Sequence, residues 1–347
     1  MPKAPRLTTA LAASAAAVLA LSACGGDSSG DAKSDASKSS SKASGDDAKD
    51  AKDVTLAEPK PADAKAVEAI AVTEAKGKKG PSIKLDDSPV KVSETTRDIR
   101  TEGKGEDLAD DAYAEVDLAM FSGKDGKAIE GSETYTSSPI VLDLGNAQAL
   151  PGLIKAIKDQ KIGSSGVAVM PPKDLFGSKG MPEYGVDGKD SLVLVYDVRG
   201  QLPEKVEGKQ KTLGKDMPEV KYNDGKPADI TIPKGATKPK KLVTETLIEG
   251  KGKTIKEGDT VYVSYTGVTW DDGKVFDSSL KDGRGPFSFP VGGQQVIPAW
   301  DKAVEGAKVG DRLLIVAPPK EAYGSQAQGP IKANSTLVFT VDVLGAP

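Results

Sequence analysis

Hydrophobic and polar positions alternate most regularly toward the end of the chain, where Val261-Tyr-Val-Ser-Tyr265 and Leu337-Val-Phe-Thr-Val-Asp-Val-Leu344 each read as a strand. Leu313-Leu-Ile-Val-Ala317 is a short apolar run closed by Pro318-Pro319 and reads as a third. Asp271-Asp-Gly-Lys274 supplies turn residues between two strand candidates, as a hairpin requires. In this part of the chain one stretch reads as a helix, Pro298-Ala-Trp-Asp-Lys-Ala-Val-Glu305, with proline tolerated at its start and Gly306 or Gly310 to end it. A lone helix must bury its apolar stripe against the sheet. The expected fold is therefore α+β, an antiparallel sheet wrapped around one short helix.

Shifted by 147 positions, the chain repeats itself. Glu102-Gly-Lys-Gly105 returns as Glu249-Gly-Lys-Gly252, Asp125-Gly-Lys127 as Asp272-Gly-Lys274, Pro151 as Pro298, Gly163 as Gly310, and Pro171-Pro-Lys173 as Pro318-Pro-Lys320. An echo precedes each copy, in Pro81-Ser-Ile-Lys-Leu-Asp-Asp87 and Pro218-Glu-Val-Lys-Tyr-Asn-Asp224. One domain has been duplicated, with copies expected at 80–200 and 217–347 and a polar linker at 201–216. The copies differ in their aromatics. The later one has Tyr265, Phe276, Trp300 and Tyr323 where the earlier has Leu118, Ile129, Leu153 and Phe176.

Residues 1–23 read as a secretory signal: Lys3 and Arg6 precede an uncharged Ala/Leu-rich run from Leu7 to Ala20. Leu21-Ser-Ala-Cys24 resembles the bacterial lipobox, which implies cleavage before Cys24 and its lipidation. An ordinary signal cut after Ala23 and an uncleaved anchor are the competing readings; the placing of the chain's one cysteine favours the first. Residues 24–79 are dominated by Ala, Ser, Asp, Lys and Gly, and are expected to be a disordered tether with a weak helical period near Ala62 to Ala75.

Composition removes whole classes of chemistry. The 347 residues include no histidine, so imidazole acid–base catalysis, Ser-His-Asp triads and His-ligated zinc are excluded. A single cysteine excludes internal disulfides and thiolate metal cages, and no cofactor or metal is expected. Losing residues 1–23 removes two positive and no negative charges, taking the net charge from −4 to about −6. With no basic stripe carrying aromatics, nucleic-acid binding is not expected. Gly252-Lys-Thr254 imitates the end of a phosphate loop, but the required earlier glycine is Leu247, which leaves a turn.

Aromatics make up 5% of the chain, yet both tryptophans, Trp270 and Trp300, fall within 217–347. Any one of these rings alone reads as core. Their setting is more specific: Val263-Ser-Tyr-Thr-Gly267, Gly273-Lys-Val-Phe-Asp-Ser-Ser279, Pro286-Phe-Ser-Phe289, Gly292-Gly-Gln-Gln-Val-Ile-Pro-Ala-Trp300, Ala322-Tyr-Gly324 and Thr336-Leu-Val-Phe-Thr-Val-Asp-Val343, in this order. Together these motifs resemble the FKBP-type peptidyl-prolyl cis-trans isomerases, over about Lys240 to Leu344.

The resemblance implies catalytic roles for Tyr265, Phe276, Asp277, Ile297, Trp300 and Tyr323, and substrate-binding roles for Phe287, Val296, Ile331 and Phe339. Trp300 would floor the proline pocket, while the Ile297 N–H and the Tyr323 hydroxyl would meet ligand carbonyls. Four departures from the common pattern bear on macrolide-inhibitor affinity and on the preferred residue before proline: Gln295, Pro330, no histidine after Tyr323, and one extra residue between Phe276 and Phe287. At the corresponding sites the earlier copy has Leu118, Ile129, Glu130, Ala149, Leu150, Leu153, Phe176 and Leu194, which implies a degenerate domain with little activity.

The whole resembles a bacterial, actinobacterial-like lipoprotein with two FKBP-like domains. Such a protein would be held by lipid on Cys24 at the outer face of the cytoplasmic membrane and would isomerise proline-containing secreted polypeptides. The alternative is a non-catalytic extracytoplasmic chaperone or peptide-binding module.

Overall fold

The computed structural model describes residues 54–146 and 150–347. The expected signal, Cys24, the tether up to residue 53 and Ala149 lie outside the described residues. The chain divides into two compact units. One runs to Ala112 and from Val116 to Arg199; the other takes Tyr113–Glu115 with Gly200–Pro347.

The earlier stretch of chain forms α1 (Pro61–Glu68), β1 (Ala71–Thr73), β2 (Ser82–Lys84), β3 (Thr96–Thr101), β4 (Tyr113–Ser122), β5 (Ile140–Asp143), α2 (Pro151–Ile157), β6 (Ser165–Met170) and β7 (Leu192–Gln201). The later stretch forms β8 (Glu219–Asn223), β9 (Lys226–Thr231), β10 (Val243–Ile248), β11 (Thr260–Thr269), β12 (Val275–Ser278), β13 (Phe287–Pro290), α3 (Pro298–Val304), β14 (Arg312–Ala317) and β15 (Leu337–Gly345). The sheets run β3-β6-β7-β4-β5 and β10-β14-β15-β11-β12, with β13 also pairing β11. Their order is the same up to one strand. By the 147-residue shift β5 corresponds to β13, and the place of β12 holds a single bridge between Phe121 and Ala128.

Each sheet is covered on both faces, which explains why β14 and β15 are buried along their whole length. On one face lies the short helix, α2 against β6 and α3 against β14. Both helices start on proline, whose missing N–H costs nothing at that position. Gly163 and Gly310 share φ near +91°, and the backbones of Gly103 and Gly250 pass within 3.6 and 3.1 Å of where their side chains would be. The repeated glycines are therefore required by both conformation and space.

The back faces are covered by segments that polarity had placed outside the fold. Residues 54–79, expected within the disordered tether, contain α1 and β1, and Val67 and Ile70 are buried with Val167, Val169, Val193 and Val195. Ser93 donates from N and Oγ to Asp63 Oδ2 at 3.0 and 2.6 Å, and Arg100 donates to the carbonyls of Val67, Glu68 and Ile70. These bonds anchor the helix start and satisfy carbonyls orphaned at its end. Val67 and Ile70, with Ala66 and Val72 partly buried beside them, suffice because the sheet supplies the rest of the buried surface.

The expected linker 201–216 is likewise packed. Leu202 and Val206 are buried, Val206 lies with Ile248 and Leu344, and Lys211 N donates to the Leu247 carbonyl at 2.7 Å. The β8–β9 hairpin then covers the remaining back face, where Val220, Ala228 and Ile230 meet Trp270, Leu314, Val316 and Val338.

Candidate functional site

On β11, Val261, Val263 and Tyr265 point to the helix side, two residues apart as the pleat requires. Trp300, at the third position of α3, lies beneath Tyr265 with ring centroids 5.0 Å apart and planes at 80°. Phe339 meets Trp300 at 5.4 Å, and Phe276 meets Phe339 at 5.6 Å, both edge to face. Phe287 completes the wall, 6.1 Å from both Tyr265 and Trp300. Such edge-to-face contacts are the favoured geometry for aromatic quadrupoles.

A bulge explains how Phe276 and Asp277, adjacent in sequence, serve one site. Gly267 pairs with Asp277, but Val268 pairs with Val275, so Phe276 is the extra residue. In a regular strand the two side chains would point to opposite faces; the bulge re-aims one of them. Phe276 reaches Phe339, and the Asp277 carboxylate accepts a hydrogen bond from the Tyr265 hydroxyl. Ser278 and Ser279 then fasten the segment: Ser278 Oγ donates to the Tyr265 carbonyl at 2.7 Å, and Ser279 Oγ accepts from Tyr265 N at 2.9 Å. Gly267 is required here, since an added Cβ would lie 2.6 Å from Phe276 and 2.8 Å from Phe339.

The remaining expected residues fall around this cluster. Ile331 and Phe339 are buried, while Val296 and Ile297 pack on the cluster partly exposed. Ile297 is the N-cap of α3 and brings an orphan helix N–H to the site. Tyr323 and Phe287 are 39% and 40% exposed, which puts them at the rim rather than the floor. Among the described residues Tyr323 makes no ring contact with the cluster; its tie is the charge of Asp277. Its segment is held to α3 by Lys302 Nζ, 2.7 Å from Glu321 Oε2.

Burial pushes the Tyr265 hydroxyl well up, and the Asp277 carboxylate pushes it further. Burial also raises Tyr323, with Asp277 adding. Both phenols are thus protonated donors at neutral pH. Burial alone would raise Asp277, but hydrogen bonds from Tyr265 and Arg284 and the Arg284 charge hold it below its usual range. The Trp300 Nε1–H is buried without a partner among the described residues. The site therefore offers an apolar floor, several N–H and O–H donors and one ionised carboxylate, and no metal-holding cluster occurs among the described residues.

Three participants carry no role assigned from sequence: Arg284, which pairs with Asp277 and donates to the Ser278 carbonyl; and two residues of the quoted motifs, Phe289, which packs 5.7 Å from Trp300, and Gly267. Phe289 was signalled by its alternation with Phe287; nothing local marks Arg284, which acts across the turn between β12 and β13.

At the corresponding positions of the first unit, Leu118, Ile129, Leu153 and Leu194 are buried and aliphatic, and Met120 stands for Gly267. Leu194 takes the place of Phe339 by register, opposite Ala168 as Phe339 is opposite Ile315.

The model of the FKBP-type peptidyl-prolyl cis-trans isomerase family matches residues 251–344. Over 131 residues the chain is 35% identical to an FK506-binding protein of Streptomyces anulatus, covering 37% of this chain and 96% of that protein. It is 44% identical over 103 residues to the FKBP-type peptidyl-prolyl cis-trans isomerase FkpA of Escherichia coli, covering 30% of this chain and 37% of that protein. It is 40% identical over 121 residues to the peptidyl-prolyl cis-trans isomerase FKBP53 of Arabidopsis thaliana, covering 34% of this chain. The chain spans 25% of the length of that relative. The chain belongs to the FKBP-type peptidyl-prolyl cis-trans isomerase family.

Proposed function

We propose that the second unit catalyses cis–trans isomerisation of X–Pro bonds in secreted or cell-envelope polypeptides. The observation that carries this reading is the ring cluster around Trp300, with Asp277 and two protonated phenols at its edge. Rotation about an X–Pro bond is slow because amide resonance sets a barrier of roughly 18–20 kcal/mol. The twisted amide has lost that resonance, and its carbonyl is less polar than in the planar ground state. An apolar, water-poor site lined by fixed donors binds the twisted form in preference to the planar one. A million-fold acceleration needs only about 8 kcal/mol, and no nucleophile or metal.

In this reading Trp300 floors the proline ring, Phe276, Phe287, Val296, Ile331 and Phe339 wall it, and the Ile297 N–H and Tyr323 hydroxyl hold substrate carbonyls. Tyr265 and Arg284 fix Asp277 beside the rotating amide. The first unit is a degenerate FKBP-like domain that retains the frame without the isomerase site, and macrolide inhibitors are candidate ligands of the second. Lipid on Cys24 would hold both units outside the cytoplasmic membrane.

The test is a proline-isomerisation assay on the full chain and on the double variant Asp277→Asn/Tyr323→Phe. Catalysis by the parent, reduced at least about ten-fold in the variant with Tm nearly unchanged, is the expected result. A parent that suppresses aggregation without isomerising proline would leave only the peptide-binding role. For the anchor, Cys24→Ala is expected to abolish incorporation of labelled lipid; undiminished labelling rejects that assignment.

A further inference from the structure

The backs of the two sheets differ at one matched position, filled in the second unit and open in the first. In the second, Arg312 on β14 stands opposite Asp342 on β15, and their side chains are 5% and 4% exposed. Nε and one terminal nitrogen of Arg312 donate to the two carboxylate oxygens at 2.6 and 2.7 Å, a bidentate pair. The guanidinium lies 4.3 Å from the centre of the Tyr222 ring and donates to the Val206 carbonyl at 3.2 Å.

In the first unit the matching register pair is Ser165 on β6 and Asp197 on β7. The carboxylate is kept and its cation is not. In the cation's place is a cavity of about 510 Å³, lined among others by Ile70, Val72, Tyr135, Ser165, Asp197 and Arg199.

The charges around this cavity do not balance. Arg199 binds Asp117 closely, Nε to Oδ2 at 2.6 Å, and reaches Asp197 only at 3.4 Å. Asp117 is on the neighbouring β4 with its side chain 10% exposed, and that of Asp197 is 29% exposed, so a buried and a partly buried carboxylate share one half-exposed guanidinium. Arg100, also at the cavity, is committed to the carbonyls of Val67, Glu68 and Ile70 and to Asp98. Burial raises the Asp197 carboxyl above its usual range against the pull of Arg199 and a hydrogen bond from Tyr135, and Asp117 and Glu74 raise it further. Where the sister unit places an arginine opposite the carboxylate, this unit has Ser165 and the cavity, and Asp197 keeps only its shared contact with Arg199 and the hydrogen bond from Tyr135.

We propose that this cavity binds the guanidinium of an arginine side chain presented by a polypeptide, seated on Asp197 as Arg312 is seated on Asp342. A planar fork suits the carboxylate better than an ammonium, and a tyrosine, Tyr135, lines the cavity and bonds Asp197 where the sister unit sets Tyr222 against Arg312. The volume exceeds that of one side chain and leaves room for flanking backbone. The inference does not rest on the isomerase reading.

The test is calorimetric titration of the full chain with N-acetyl-arginine amide, its neutral isostere N-acetyl-citrulline amide, and an acetylated Ala-Arg-Ala amide. None contains proline, so the aromatic site is not probed. Saturable binding of the arginine amide is expected, at least about ten-fold weaker for citrulline, with the tripeptide tighter than either. Ser165→Arg should refill the cavity and abolish binding while the isomerisation rate is unchanged. Asp197→Asn, which keeps the shape, should weaken binding at least about ten-fold. Absence of saturation, equal binding of arginine and citrulline, or binding that survives both substitutions overturns the site. Arginine amide bound as tightly as the tripeptide overturns the polypeptide source and assigns the cavity to the free amino acid.

Discussion

The two units keep the same frame and differ in which face is furnished. Both tie the short helix to the turn after the following strand with a lysine–carboxylate pair, Lys155 to Asp174 at 2.8 Å and Lys302 to Glu321 at 2.7 Å. Both use a left-handed glycine beside a glycine backbone at Gly163 and Gly310. On the helix side the second unit carries Tyr265, Trp300 and Phe339 where the first has Leu118, Leu153 and Leu194. On the back the second is closed by Arg312 and Asp342, while the first is open around Asp197. Frame residues solve a problem both copies share. Face residues solve one that only a single copy has, and they are where the copies drift.

The most severe way to test this contrast is to impose one face on the other. Tyr265→Leu, Phe276→Ile, Trp300→Leu and Tyr323→Phe together give the second unit the residues of the first. The full chain is expected to lose at least about 100-fold in kcat/KM on a proline peptide, about 2.7 kcal/mol of transition-state stabilisation. A residual rate above a tenth of the parent's would show that the first unit also isomerises, and the distinction would fall.

A smaller effect should come from Gly267→Ala. The added methyl meets the rings of Phe276 and Phe339, which must shift, at a cost of about 1–3 kcal/mol read from denaturant unfolding. The first unit carries Met120 at that position because it has no ring pair to protect. An unchanged midpoint would mean that the pair does not depend on this close approach.

Much of the second unit was legible because its signals are local. Leu313-Leu-Ile-Val-Ala317, Asp271-Asp-Gly-Lys274 and Pro298 each announce a strand, turn or helix within a few residues, and the structure has β14, a hairpin turn and α3 there. The covers of the back faces were not legible. The weak helical period near Ala62 to Ala75 falls on α1, but Val67, Ile70 and Val72 are few among Ala, Lys and Glu, as are Leu202 and Val206 among polar residues, and composition reads such segments as tether or linker. Their burial depends on a sheet surface that no local window contains. Of the candidate site, the rings could be named from their motifs, but the bulge that turns Phe276 and Asp277 to one side depends on pairing with β11. Arg284 was hidden for the same reason.

The finest separation of the units lies in the sign of their pH dependence. Burial raises Asp277, yet the hydrogen bonds of Tyr265 and Arg284 and the Arg284 charge outweigh it, so its folded value lies below the unfolded one of about 3.9. Its contribution is fully present above that unfolded value and is lost as pH falls through the folded one. With the side chain 38% exposed, solvent and salt keep the effect small. Asp197 is shifted the opposite way, chiefly by burial. A carboxyl raised on folding begins to cost stability as pH rises above its unfolded value, and the cost is complete above its folded value. The difference in unfolding free energy between the parent and Asp277→Asn should therefore grow with rising pH up to about 4 and then level. The same difference for Asp197→Asn should shrink with rising pH above about 4 until Asp197 is fully ionised. Two profiles of the same sign, measured by denaturant titration across the acid range, would mean that the two carboxylates do not occupy opposite environments. The unbalanced charge inferred for the first unit would then lose its electrostatic basis.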